Sequence, residues 1–367
     1  MEWILLLVTS IFLIIVQTAI PFLMKRTVVF GVTVPIEKTK SKELMRYKKL
    51  YTLITFIFSI IILFLFFMWA TLTSPTENNL VLLGTMIPFA IIMGSLSLYF
   101  YFHAKVTRLK IKDRWFQNRK QVKVSDLAIR TQDEMLSWIL FTIPMFITFG
   151  LIIFTAINYH QFPNQIPIHW GPDGPDAFTA KSIVSVFLLP LTILIMQGMF
   201  LGINEMTKKS GIKLRATSIH TSRMRQLRLR KYSSWLLFTS SVLITMMFTF
   251  LQITILHENL AHDFINILLP VIILIVTLGA TAFFAIKVGK TDSDLDMEVV
   301  DDTKHEKIIE VDEDQFWKGG LIYFNKNDPS IFVEKRFGIG WTLNFARPLG
   351  YVIIFGPIVL LLLLTFA

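Results

Sequence analysis

Tyr51-Thr-Leu-Ile-Thr-Phe-Ile-Phe-Ser-Ile-Ile-Ile-Leu-Phe-Leu-Phe-Phe-Met-Trp-Ala-Thr-Leu72 runs for 22 residues without an Asp, Glu, Lys or Arg, a short step after Lys48-Lys49. As a helix rising ~1.5 Å per residue it spans ~33 Å, enough to cross a hydrocarbon core of ~30 Å. A soluble amphipathic helix would break such a run with a charged stripe. The stretch therefore predicts a transmembrane helix, and the rest of the chain can be read outward from it.

Seven more runs of this kind follow the same rule: Trp3 to Met24, Asn79 to Ala104, Leu136 to Tyr159, Ser182 to Asn204, Tyr232 to Ile255, Phe264 to Ile286 and Pro348 to Ala367. The whole 367-residue chain is 53% hydrophobic and 17% charged, with a mean hydropathy of +0.59, a balance suited to lipid rather than water. No basic residue precedes the first run and no small-residue cleavage site follows it at Phe22-Leu23-Met24-Lys25-Arg26, so it reads as a retained helix.

Orientation comes from Lys and Arg, which stay in cytoplasmic loops near helix ends. Segments 25–50, 104–135, 205–231 and 287–347 hold 35 of the 36 basic residues, and only Lys181 lies opposite. The expected fold is an all-α integral membrane protein of about eight transmembrane helices, with both termini outside. The net charge of +10 follows from this topology and from attraction to anionic inner-leaflet lipid, so nucleic acid is not an expected partner. The absence of Cys excludes disulfides, a thiol nucleophile and Cys-ligated metal.

A repeat runs through the middle of the chain. Ser137-Trp-Ile-Leu-Phe-Thr142 is answered by Ser234-Trp-Leu-Leu-Phe-Thr239, and Ile147-Thr148 by Ile244-Thr245, at a constant offset of 97 that also pairs His160 with His257. Around Pro190 and Pro270 the next helices match at an offset of 80. This predicts tandem hairpins of parallel topology. The chain then divides into an N-terminal three-helix membrane region with basic cytoplasmic loops (1–135), a hairpin with a structured outer loop (136–204), a second related hairpin (205–287), a cytoplasmic acidic linker and interfacial motif (288–347) and a last transmembrane helix (348–367). Gly198 and Gly202 form a GxxxG face suited to close helix packing.

The outer insert His160-Gln-Phe-Pro-Asn-Gln-Ile-Pro-Ile-His169-Trp170-Gly-Pro-Asp-Gly174-Pro175-Asp176-Ala-Phe178-Thr-Ala-Lys181 is dense in Pro, Gly and Asp, which predicts fixed turns. Trp170 and Phe178 are expected at the lipid interface. Through Pro163, Ile166, Pro167, His169, Gly174, Pro175, Asp176 and Lys181 the insert resembles an uncharacterised bacterial multi-pass membrane domain shared with the SdpI-like proteins, which protect against a sporulation-delaying toxin. The resemblance covers about 136–204 and implies a bacterial cell membrane and an outer loop able to bind a ligand, with Pro167, His169, Trp170, Gly174, Asp176 and Lys181 as the candidate residues.

Near the C-terminus, Gly320 to Pro348 resembles a short uncharacterised motif found at the ends of related membrane proteins. Its aromatic and basic content predicts an interfacial segment, in which Lys335, Arg336, Trp341, Asn344 and Arg347 are candidates for binding lipid or a protein partner. Upstream, 291–314 carries 11 acidic residues and 2 basic ones, a solvated linker or an electrostatic clasp against the basic loops.

His160, His169, His257 and His262 lie on the outer side with Asp173, Asp176, Glu258 and Asp263, a candidate N/O-ligated metal set. His257-Glu-Asn-Leu-Ala-His262 is one residue too long for HExxH, so a zinc peptidase is not expected. No P-loop, dinucleotide fingerprint or Gly-x-Ser-x-Gly is present, and neither an enzyme nor a cofactor is expected. Without ionisable groups in the spans, coupled transport lacks its usual machinery; the interior polar residues are Gln17, Gln197, Gln252 and scattered Ser and Thr. Three readings stay open: receptor-like or immunity binding and signalling with a toxin, peptide or lipid, passive movement of an apolar or peptide molecule with Pro190 and Pro270 as moving parts, or a scaffold for another membrane protein.

Overall fold

A computed structural model describes residues 2–116, 120–121, 133–171, 174–212, 214, 219–257, 263–289, 308–309 and 312–365. Its main elements are helices α1 (Glu2–Leu23), α2 (Lys42–Thr73), α3 (Glu77–Lys112), α4 (Trp138–Ile157), α5 (Ile183–Lys209), α6 (Ile219–Leu256), α7 (Asp263–Gly289) and α8 (Pro348–Thr365). The first seven contain spans long and apolar enough to cross a membrane, and α8 has a shorter apolar stretch, Pro348–Leu363. This is an all-α multi-pass membrane architecture.

Helix ends differ from the hydrophobic runs. α2, α3 and α6 have 32, 36 and 38 residues, so at ~1.5 Å per residue they extend ~48 to 57 Å and overshoot a ~30 Å core. The overshoot is basic, because Lys and Arg are good helix formers that are at home in water. Ser41 begins α2 by accepting a hydrogen bond from the Leu44 N–H.

α1 packs against α2, α3 and α7, while α4, α5 and α6 form a second mutually packed group joined by α7 and α8. α4 and α6 run parallel, and the 97-residue offset is their register. Phe141 meets Phe238 with ring centroids 5.8 Å apart, and Gln252 Nε2 donates to Thr155 Oγ1 at 3.2 Å. Arg230 Nη1 lies 3.1 Å from Asp133 Oδ2, and Lys231 pairs with Glu134. The GxxxG face is only half used: Gly202 lies against Ile353 of α8, whereas Gly198 opens onto free space.

The seam between α4, α5 and α6 is polar. Buried Gln197 donates through Nε2 to the Pro144 carbonyl at 3.0 Å and to Thr148 Oγ1 and Thr245 Oγ1, each at 2.8 Å. Thr148 and Thr245 are themselves repeat equivalents. Nearer the basic end, Asn204 Nδ2 donates to the Leu136 carbonyl, and its Oδ1 accepts from Ser234 Oγ. Such pairings substitute for water that lipid cannot supply.

Short strands decorate both ends. β1 (Val28–Val29) and β2 (Val32–Thr33) form a hairpin at the basic end; β3 (Lys120–Gln121) pairs in parallel with β6 (Ile308–Ile309). The outer insert is a hairpin of β4 (Gln165–Gly171) and β5 (Gly174–Ala180). β7 (Trp317–Lys318) with β8 (Ile322–Tyr323), and β9 (Phe332–Glu334) with β10 (Trp341–Leu343), complete a compact cap at the basic end.

Candidate functional site

At the end opposite the basic loops, the β4–β5 hairpin has more regular structure than its turn residues predict. Pairing runs from Gln165 with Ala180 to Gly171 with Gly174, with register shifts between Pro167 and His169, the bulge on β4, and between His169 and Trp170. The bulge re-aims the strand. His169 Nδ1 then lies 2.5 Å from Asp176 Oδ1, with the two side chains 68% and 54% exposed. Exposed Ile168 and Phe178 flank the pair.

The root of the hairpin is fixed. Phe162, Ile166, Val186 and Ile255 form a small buried cluster, and Pro167 is buried beside it. Lys181 Nζ donates to the carbonyls of Phe162 at 2.7 Å and His160 at 3.2 Å, and lies 5.1 Å from the Tyr159 ring centroid. Ser182 and Ser185 close a capping box at the start of α5. Of the ligand-binding candidates, His169 and Asp176 are therefore presented outward, whereas Lys181 and Pro167 hold the hairpin in place. The strand positions of Trp170 and Gly174 are defined; the Trp170 side chain lies outside the described residues.

Three of the four histidine candidates for a metal site, His160, His169 and His257, are described, and these do not come together. Among the described residues no group of three His, Asp or Glu side chains is placed to hold an ion. His160 and His257 are exposed on separate elements, His169 is spent on Asp176, and His262, Glu258 and Asp173 lie outside the described residues.

At the basic end, the inner binding candidates turn out to be braces. Asn344 is fully buried: Nδ2 reaches the carbonyls of Asn325, Asp328 and Ser330 at 2.9 to 3.2 Å, and Oδ1 accepts from the Asn325 and Ala346 N–H groups. Arg347 Nε donates to the Asp328 carbonyl at 2.9 Å and Nη2 to that of Lys326 at 3.0 Å. Trp341 Nε1 donates to Ser233 Oγ at 3.0 Å, and the Arg230 guanidinium lies 5.7 Å from the Trp341 ring centroid. Arg336 donates to the Gly31 carbonyl at 3.0 Å, pairs with Asp314, and stacks 5.0 Å from the Trp317 ring centroid. Lys335 alone of the five is exposed. The donors of the other four have protein partners, which brace the cap.

Two carboxylates organise this cap. Asp314 binds the Thr33 hydroxyl at 2.6 Å and N–H at 3.1 Å, and pairs with Lys110 and Arg336. Burial pushes its pKa up, but Arg336 and Lys110 outweigh burial and leave it at about 2. Glu334 is buried against Lys25 Nζ at 2.6 Å, Arg225 Nε at 2.9 Å and Gln226. Burial raises its pKa too, and again the neighbouring cations win, for a net lowering. Asp312 and Asp314, the end of the acidic stretch, thus form the anticipated clasp by holding Lys110; residues 290–307 and 310–311 lie outside the described residues.

Residues 146–194, which include the outer hairpin, match a domain of unknown function (DUF1648), and residues 326–351, in the cap, match a family of unknown function (DUF5808). Both fit an uncharacterised membrane-type family, and neither description carries an activity. No curated protein and no solved structure matches the chain.

Proposed function

We propose that this chain is a non-enzymatic binding protein of the bacterial cell membrane, which uses its outer β4–β5 hairpin to engage an amphipathic peptide, such as a toxin, in the outer interface. The observation that carries the reading is the placement of His169 and Asp176, exposed on a hairpin whose root is fixed by Lys181. The pair offers a polar handle beside apolar Ile168 and Phe178, the combination an amphipathic peptide requires. The two-stranded hairpin also leaves strand edges on which an extended peptide can add. The resemblance of the insert to an uncharacterised domain shared with the SdpI-like proteins points in the same direction. Passive movement of a substrate draws less support, because Gln252 pins the backbone that Pro190 opens.

The test compares cells expressing the native chain with cells expressing H169A/D176A at equal membrane abundance, against a panel of membrane-active bacterial peptide toxins. The native chain should raise the inhibitory dose of at least one toxin, and the double variant should lose that protection. Equal tolerance in both strains across the panel rejects the reading. Orientation is tested separately: a reporter fused after Lys120 should be inaccessible from outside.

A further inference from the structure

Asn204, Gln197 and Gln252 are amide side chains buried in the seam of α4, α5 and α6, and they are not equally satisfied. Asn204 uses both ends: Nδ2 donates to the Leu136 carbonyl at 3.2 Å, and Oδ1 accepts from Ser234 Oγ at 2.6 Å. Gln197 and Gln252 spend only their nitrogens. The Pro144 carbonyl, 3.0 Å from the Gln197 amide, and the Val186 carbonyl, 3.0 Å from that of Gln252, can only accept, so the atom facing each is Nε2. Turning either amide over would set two oxygens against each other. Both Oε1 atoms are enclosed, and no donor reaches them among the described residues.

The threonines that hold Gln197 have no proton to spare. Thr148 Oγ1 and Thr245 Oγ1 each accept from Gln197 Nε2, and their own protons go to the Pro144 and Ser241 carbonyls at 3.1 and 2.7 Å. The Thr245 bond sets the Ser241 turn of α6 beside Gln197. Ser241 Oγ is buried there, and it too has no partner among the described residues. Further outward, Thr249 stands three residues from Gln252 on the same side of α6, with Oγ1 enclosed and unpartnered among the described residues. Each orphaned glutamine oxygen is thus accompanied by a hydroxyl able both to donate and to accept.

We propose that the seam binds two water molecules, one joining Gln197 Oε1 to Ser241 Oγ and one joining Gln252 Oε1 to Thr249 Oγ1. An orphaned carbonyl is costly where lipid surrounds the bundle, and a water is held by about two to four polar partners. Enclosure of the oxygens keeps out a lipid headgroup or a second chain. A cation is unsuited, because residues 138–157, 183–204 and 232–256 carry no acid to balance its charge. The waters are independent of the outer hairpin, so they stand or fall apart from the peptide-binding reading.

The test is water-edited solid-state NMR of the full chain in lipid bilayers, with isotope-labelled Asn and Gln and the two amides assigned from the signals missing in Q197M and Q252M. Magnetisation from water protons should reach the Gln197 and Gln252 side-chain amides about three times faster than that of Asn204, whose oxygen already has a protein donor. Transfer no faster than at Asn204 overturns the proposal, whether because Ser241 and Thr249 serve the oxygens directly or because bulk water enters the whole seam. Ser241→Ala removes one anchor of the inner water, so it should slow transfer at Gln197 about twofold while Gln252 keeps its native rate. Unchanged transfer at Gln197 in that variant overturns the bridge.

Discussion

Gln252 on α6 donates from Nε2 to the Val186 carbonyl on α5 at 3.0 Å, filling the hydrogen bond that Pro190, four residues further along α5, cannot supply. A proline in lipid is tolerated only when a neighbour satisfies the carbonyl it frees. Here the neighbour is the repeat equivalent of Thr155, to which Gln252 also donates.

Replacing Gln252 by Leu should therefore cost about 1 to 3 kcal/mol, the range for orphaning a buried acceptor. In a Pro190→Ala background the restored N–H can reach Val186, so the same replacement should cost less. A double-mutant cycle of thermal unfolding in detergent measures the difference, and equal costs in both backgrounds would show that the two residues are uncoupled.

The two ion pairs that join repeat-equivalent positions should behave oppositely. Arg230 and Asp133 are 1% and 8% exposed, and Arg230 also donates to the Ser210 and Lys208 carbonyls, so Arg230→Ala should cost about 3 to 5 kcal/mol. Lys231 and Glu134 are 41% and 57% exposed, and Lys231→Ala should change stability by no more than about 1 kcal/mol. Unfolding midpoints of the two variants in the same detergent decide the matter.

Acid should loosen the cap through Asp314. Its folded pKa of about 2 lies below its ordinary value of 3.8, so its contribution is fully present above about pH 4 and is lost as the pH falls through about 2. The shift corresponds to about 2 kcal/mol, moderated by solvent at a side chain that is 27% exposed. Hydrogen exchange of the β1–β2 hairpin should accelerate in that window in the native chain and already at neutral pH in Asp314→Asn. Unchanged exchange in the variant would separate Asp314 from the hairpin.

Gly31 and Gly320 touch back to back beneath Tyr99. Both have positive φ, +76° and +72°, and a Cβ on either would stand 2.3 or 2.5 Å from the Tyr99 hydroxyl oxygen and under 3 Å from the opposing glycine Cα. Alanine at either position should destabilise the cap by more than about 1 kcal/mol. A Cβ added at Gly198 would meet nothing within 4 Å beyond its own helix, so alanine there should be accepted without loss of stability. Trypsin susceptibility of the basic end provides the readout.

The membrane spans were legible because lipid writes its constraint locally, as in Tyr51 to Leu72. The helical extensions were not, since Lys42 to Leu50 and Ile219 to Lys231 carry charge that an apolar-run criterion discards. The β4–β5 hairpin was visible only as turn chemistry, since Pro167 and Pro175 weaken any strand pattern. Asp176 and His169 are exposed, as turn chemistry suggests, but their pairing across the strands emerges only from the register. The internal partners of Arg336, Asn344 and Arg347 were not legible, because groups such as the Gly31 carbonyl lie far away in the chain or in its backbone. The offset of 97 was a long-range signal that the sequence displayed openly, and the α4–α6 register uses it.

Thr33 and Asp314 stand 281 residues apart, yet they share one clasp. At a synthesis rate of about 5 to 20 residues per second, the β1–β2 hairpin waits roughly 15 to 60 seconds for its partner to leave the ribosome. During that interval six helices must enter the bilayer while Phe30 and Gly31 lack their closing contacts with Phe337 and Gly320. A segment made late thus decides when an early one becomes native, so a chain interrupted before Asp314 would present the cell's quality control with an unclosed N-terminal half.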